Sequence, residues 1–235
     1  EMIRRTIFAT DVESTRYALG GVLVEVTPER ITMAATDSRR LAVITSACRV
    51  HGELDPDNCS PVVPSKAMSL MERSITDDLE EVQLAIRGND VTLKAGSSTI
   101  YSRQVEGRFP RYSDVIPSHS EHTIDMVVSP FYAAIRQAQI VTNEESRGVD
   151  FAFTKGQLTL KSLVAEIGQS TVELPISYEG DDLTITFDPR FVAEFLRILS
   201  PETNIQLRLV DSESAAVLST EDDYTYVIMP LSRDR

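Results

Sequence analysis

The stretch Gly21–Val43, GVLVEVTPERITMAATDSRRLAV, holds two kinds of information. Its first half returns later in the chain. Gly21, Val22, Val26, Thr27, Ile31, Thr32 and Met33 recur as Gly148, Val149, Phe153, Thr154, Leu158, Thr159 and Leu160, each 127 residues on. Val22, Val24 and Val26 alternate, as do Ile31, Met33 and Ala35, on either side of Thr27-Pro28-Glu29-Arg30, which predicts two strands joined by a turn. The second half does not return. Where the first copy has Thr36-Asp37-Ser38-Arg39-Arg40, the second has Lys161-Ser162-Leu163-Val164 and no polar turn. The repeated part therefore reads as scaffold, and the unrepeated part as something added to one copy.

On the N-terminal side, Glu1–Phe8 reads as an entry strand or linker with Arg4 and Arg5 exposed. Thr10 and Glu13 have capping-box spacing and predict a short helix bearing Val12, Arg16 and Leu19, stopped by Gly20-Gly21. On the C-terminal side, Leu41–Ile44 begins a third strand. Pro64-Ser65 opens a second helix with Met68, Met71 and Ile75 on one face. Val82–Ile86 and Val91–Ala95 form a hairpin around Arg87-Gly88-Asn89-Asp90, and a strand follows over Thr99–Val105.

The second half retraces this plan. Ser129 as N-cap with Pro130 at the first helical position opens a helix with the stripe Phe131, Ile135 and Ala138. Asp188-Pro189 opens another, with Val192, Phe195 and Leu199 on its core face. Ile205, Leu207 and Leu209 alternate, Asp211–Ser214 turns, and Tyr224–Met229 is the last strand. Helix, strands, helix, strands, twice over, predicts an α+β protein of two tandem copies of one unit. The polar stretch Pro117–His122 places the boundary between domains at 1–118 and 119–235.

The length of 235 residues suits two such domains, each able to bury a core. No apolar run reaches the roughly 20 residues that span a bilayer, so no membrane role is expected. Cys48 and Cys59 read as incidental thiols of a reducing compartment. His51, His119 and His122 lack ligand spacing, so neither a metal nor a cofactor is expected. No phosphate loop, H-E-x-x-H or Gly-x-Ser-x-Gly motif occurs, and Asp37 beside Arg39 and Arg40 reads as structural. The chain is not expected to be an enzyme.

The net charge is −13 and falls unevenly. Residues 1–118 hold 14 Lys and Arg against 17 Asp and Glu, whereas residues 119–235 hold 9 against 19. Such a balance argues against a protein coated for nucleic acid, but not against one basic face. The second helix of each copy supplies candidates. Lys66 and Arg73 lie seven apart, opposite Met68 and Met71. Arg190 and Arg197 repeat that spacing 124 residues later, opposite Val192 and Phe195. Arg16 and Arg136 extend the set along the first helices, and Glu13, Glu72 and Glu194 dilute it. Cations on rigid helices suit a phosphate backbone approached without base reading. Four such contacts give a salt slope of at most about −3.6 on duplex DNA. Binding that weak needs something besides affinity to persist.

Thr36-Asp37-Ser38-Arg39-Arg40-Leu41-Ala42-Val43, Asn143-Glu144, Arg147-Gly148-Val149, Gly107-Arg108-Phe109-Pro110-x-Tyr112 and Tyr226-Val227-Ile228-Met229-Pro230-Leu231 together resemble one family. It is the bacterial DNA polymerase III beta subunit, the replicative sliding clamp. The resemblance covers the second and third of that family's three repeated DNA-clamp domains, with the first outside this chain. It implies helices on one face lining a hole around duplex DNA and antiparallel sheets on the other. It also implies a head-to-tail homodimer when full length, and a cytoplasmic, nucleoid-associated protein that confers processivity. The topological link would replace tight binding.

The resemblance further implies a cleft that takes short peptide motifs of replicative and repair polymerases and of the clamp loader. Matched position by position, its walls would be Leu19, Thr36, Ser38, Arg39, Arg40, Leu41, Pro110 and Val115 from one domain. Phe191, Val227, Met229, Pro230 and Leu231 would come from the other. Ile140 and Val141 match the apolar pair that meets the partner protomer's first domain. Ser38 and Arg39 stand where Gly-His is common, and Asp114, Ser146, Glu213 and the tail Leu231–Arg235 also depart from the family pattern. The alternative is a peptide-binding adaptor that uses the cleft without encircling DNA.

Overall fold

A computed structural model of the chain describes residues 1–11, 13, 17–55, 59–76, 81–143, 147–164 and 167–232. The chain forms two compact units, Glu1–Tyr112 and Ser113–Arg235. All the strand pairings recorded within them are antiparallel.

The first unit opens with helix α1 (Met2–Thr6) and a 3-10 turn over Ile7–Ala9. This corrects the expected entry strand. Arg4 is exposed, but Arg5 is buried and its guanidinium bonds the Glu1 carboxylate at 2.5 Å, one helical turn back. The capping box is also absent. The Thr10 hydroxyl donates to the Ile7 carbonyl at 2.8 Å and finishes the preceding turn, while the Glu13 N–H donates to Asp11 Oδ1 at 3.2 Å. A 3-10 turn over Tyr17–Gly20 holds Leu19, while Val12 and Arg16 lie outside the described residues.

Three strands follow as read: β1 (Gly21–Val26), β2 (Arg30–Thr36) and β3 (Arg40–Ala47). The short strand β4 (Val62–Pro64) pairs with the other side of β1 and leads into helix α2 (Ser65–Ser74). Met68 and Met71 of α2 are buried, whereas Ile75 is already extended, just past the helix. β5 (Val82–Arg87), β6 (Asp90–Ala95) and β7 (Ser98–Arg103) make a three-stranded sheet. Gly88 takes φ +55° in the β5–β6 turn, a conformation glycine adopts without steric cost. At the unit's end the Tyr112 hydroxyl donates to Glu25 on β1 at 2.5 Å. Burial first, then that bond and the Glu25 charge, push the phenol far above its usual range, so it stays protonated.

The second unit begins with β8 (His122–Val127), in part of what reads as a featureless linker, and runs straight into α3 (Val128–Ala138). Ser129 does not cap this helix, because α3 starts one residue earlier. Its first N–H groups, those of Val128 and Ser129, instead donate to the carbonyls of Thr203 and Pro201. β9 (Val149–Thr154), β10 (Gln157–Val164), β11 (Gly168–Pro175) and β12 (Leu183–Phe187) form a sheet in the order β11-β10-β9-β12. Helix α4 (Pro189–Arg197) follows, capped by Asp188 as expected. β13 (Asn204–Leu209), β14 (Ala216–Ser219) and β15 (Tyr224–Ile228) run with β8 in the order β15-β14-β13-β8.

The core of this unit is aromatic. Phe151 sits edge-on to both Phe131 and Phe187, and Phe195 stacks on Tyr226 at 4.8 Å. The repeat also shows in its two opening glycines. A Cβ on Gly21 would lie 2.6 Å from the Val63 carbonyl oxygen, and one on Gly148 would lie 2.8 Å from the Thr186 methyl. Each glycine lets a neighbouring strand come close where the repeated strand pair begins.

Candidate functional site

The unrepeated turn of the first unit is built around one carboxylate. Asp37 Oδ1 accepts the backbone N–H groups of Arg39 at 2.9 Å and Arg40 at 3.0 Å. Its Oδ2 accepts Nε of Arg40 at 3.0 Å, and the Arg39 guanidinium comes within 3.8 Å of it. The Thr36 hydroxyl adds a second tie, donating to the Arg40 carbonyl at 2.7 Å while accepting from the Ser38 N–H. Under these constraints Ser38 is held at φ +73°, in the left-handed region.

Arg40 turns inward. Its side chain is 8% exposed, it donates to the carbonyl of Phe8 at 2.7 Å, and its guanidinium lies 5.4 Å from the centre of the Phe8 ring. It therefore fastens the N-terminal segment to the turn across 32 residues. Leu41, Thr36 and Leu19 are buried as well, whereas Ser38, Arg39 and Pro110 are exposed. Val115 ends a 3-10 turn over Tyr112–Val115 and is about half exposed.

In the second unit the expected wall divides in the same way. Phe191 and Val227 belong to the core, and the Phe191 carbonyl accepts the Tyr226 hydroxyl at 3.1 Å. Met229 is 44% exposed, and Pro230 and Leu231 are half-buried. The Leu231 N–H donates to the Thr186 carbonyl at 2.8 Å, and its Cδ1 lies 3.7 Å from where a Gly148 Cβ would stand. Strand β12 thus anchors the segment that presents Met229. Of the expected wall residues, Ser38, Arg39 and Pro110 are exposed in the first unit, and Val115 and Met229 are exposed in the second.

The basic helix faces are less alike than their spacing suggests. Lys66 and Arg73 are exposed on α2, with Arg73 Nε donating back to the Ser69 carbonyl at 3.2 Å. On α4, Arg190 grips its own N-cap: Nε meets Asp188 Oδ1 at 3.0 Å and Nη2 meets Oδ2 at 2.7 Å. Arg136 on α3 and Arg197 on α4 are exposed. Arg16 lies outside the described residues.

Ile140 is 74% exposed in a 3-10 turn over Gln139–Val141, and Val141 is half-buried. Exposed Leu163 and Ile167 lie on and just after β10, which the Ser162 hydroxyl ties to the Ala138 carbonyl at the end of α3. Those two residues escape a reading of the sequence. The signal was there, as Leu163 breaks the alternation of β10 by placing a large apolar side chain on its outer face. Among the described residues no cluster of three or more His, Cys, Asp or Glu has metal-holding geometry.

Comparison with known proteins agrees across both units. Residues 1–111 match the DNA polymerase III beta subunit central domain, and residues 113–232 its C-terminal domain. The beta sliding clamp of Chlamydia trachomatis is 29% identical over 98% of this chain, and that of Pseudomonas putida is likewise 29% identical over 98%. The chain spans 54% and 62% of the length of those two relatives. The crystal structure of the DNA polymerase III subunit beta from Pseudomonas aeruginosa superposes with a TM-score of 0.91 at 27% identity, over 98% of this chain and 63% of that one. This chain belongs to the DNA polymerase III beta subunit family, of which it contains the central and C-terminal domains.

Proposed function

We propose that this chain is the partner-docking and DNA-tracking portion of a sliding clamp that encircles duplex DNA and confers processivity on the replicative polymerase. The observation that carries this reading is the match of both units, in order, to adjacent domains of the beta subunit. Its role is to hold partners on DNA, with the chemistry left to them. Short peptide motifs of polymerases and of the clamp loader would meet Arg39, Pro110, Val115 and Met229, while Arg40, Leu41 and Phe191 shape the wall from behind. The helix cations would meet phosphates without reading sequence. Ile140 and Val141 would meet the first domain of a second protomer, head to tail, in the full-length protein. We place the domain boundary between residues 118 and 119, six residues beyond the end of the first compact unit at Tyr112.

Two experiments test this. Full-length protein loaded on closed circular DNA should stay bound and be lost once the circle is linearised; equal loss from both forms sinks the clamp. A polymerase C-terminal peptide should bind this chain, and Met229→Ala should weaken it about tenfold, the loss of one central apolar contact. Met229 is exposed, so this variant keeps the fold. Unchanged affinity in both Met229→Ala and Arg39→Ala removes these residues from the docking surface.

A further inference from the structure

The helices α2 and α4 occupy matching places in the repeat, and their outward faces can be compared residue by residue. On α2 the positions 66, 70 and 73 hold Lys66, Leu70 and Arg73; 124 residues on, 190, 194 and 197 hold Arg190, Glu194 and Arg197. Spacings of four and three put each trio on one stripe of its helix. The α2 stripe has two cations and an exposed leucine. The α4 stripe has two cations and one anion, and a second anion, Asp188, is locked onto Arg190. The first face is doubly positive and the second is electrically balanced.

Asp188 is what makes this balance firm. Its side chain is 3% exposed, and it accepts the Arg190 backbone N–H as well as two guanidinium N–H groups. For Arg190 to swing to a phosphate, a buried carboxylate would have to give up its counter-charge, which is costly in a poorly solvated position. At a distance the pair has no net charge to offer a phosphate. Glu194 lies within one turn of both arginines and adds a negative charge to this face.

We infer that the DNA attraction of the two helix pairs is concentrated on α2 in the first unit, and that Asp188 switches off Arg190 in the second. The inference rests on the proposal that these faces meet DNA. The salt slope for the two pairs then falls from about −3.6 to about −2.7.

The test is the salt dependence of binding to a short fluorescein-labelled duplex, followed by anisotropy from low salt upward with the 235-residue chain. Arg73→Gln should reduce the slope by about 0.9, and Arg190→Gln should leave it unchanged. Asp188→Asn should steepen it by up to about 0.9, because asparagine caps a helix as well as aspartate and removes the carboxylate charge that holds Arg190. The double variant Asp188→Asn/Arg190→Gln should return to the parent slope. Glu221→Gln, in the exposed β14–β15 turn, removes one negative charge elsewhere and should change nothing. Equal losses from Arg73→Gln and Arg190→Gln overturn the inference. So does an Asp188→Asn slope that matches the parent, or one that Glu221→Gln reproduces. A slope that no variant alters, Arg73→Gln included, overturns the DNA-facing reading beneath it.

Discussion

Asp37 and Asp188 solve the same local problem with opposite consequences. Each is almost fully buried, accepts backbone N–H from just after it in the chain (two groups at Asp37, one at Asp188), and pairs with an arginine two or three residues on. The difference lies in where the arginine goes. Arg40 continues past Asp37 to the Phe8 carbonyl and ring, so this pair joins two distant segments. Arg190 is 48% exposed and pairs back onto its own helix start, so that pair changes a surface charge. One aspartate–arginine motif is a tertiary clamp, and the other is a local cap that cancels a cation.

The largest expected effect follows from the clamp. Arg40→Ala leaves buried Asp37 with only the exposed Arg39 guanidinium at 3.8 Å and removes the tie to Phe8, which should cost about 3–5 kcal/mol. Urea unfolding followed in the isolated chain should show the loss in one transition, that of the first unit. A cost under about 1 kcal/mol would mean that Asp37 is reached by water and that the turn is held by Thr36 alone.

Asp188→Ala should cost less, about 1–2 kcal/mol, and in the second unit. It removes the N-cap of α4 but strands no buried charge, because Arg190 is already half in water. Asp188→Asn, which keeps the cap, should recover most of that stability. If it costs as much as Asp188→Ala, the guanidinium pairing matters for stability more than the cap does, and the contrast with Asp37 narrows.

The same contrast marks what the sequence can and cannot disclose. The strand pairs β1–β2 and β9–β10 were legible because alternation and a 127-residue repeat both point to them. Helices α2, α3 and α4 were legible from their apolar stripes. Helix α1 was not, since five residues are too few to show a helical period, and its stability comes from contacts such as Arg5 with Glu1. The basic turn was recognisable, but its division of labour was not. Arg39 and Arg40 are adjacent and chemically identical, and only the fold sends one outward and the other to Phe8. Arg190 likewise matched Lys66 by repeat position, while the residue that cancels it, Asp188, reads in the sequence only as a helix cap.

The smallest effect asks which residue holds the turn in shape. Ser38 sits at φ +73°, which costs an L-residue about 1–2 kcal/mol relative to right-handed backbone. Glycine has no such cost, but it loses about 0.5–1 kcal/mol more in chain entropy on folding. Ser38→Gly should therefore stabilise the first unit by only about 0.5 kcal/mol, seen as a small rise in its urea midpoint with unchanged slope. The serine side chain makes no contribution that this would forfeit, because the turn is shaped by the Asp37 carboxylate, the Thr36 hydroxyl and the Ser38 backbone N–H, all retained in the variant. Ser38→Ala, which keeps the steric cost, should be neutral. If Ser38→Gly instead destabilises the unit by more than about 1 kcal/mol, the serine side chain itself helps to fix the turn. Asp37 and Arg40 would then not suffice to impose its conformation.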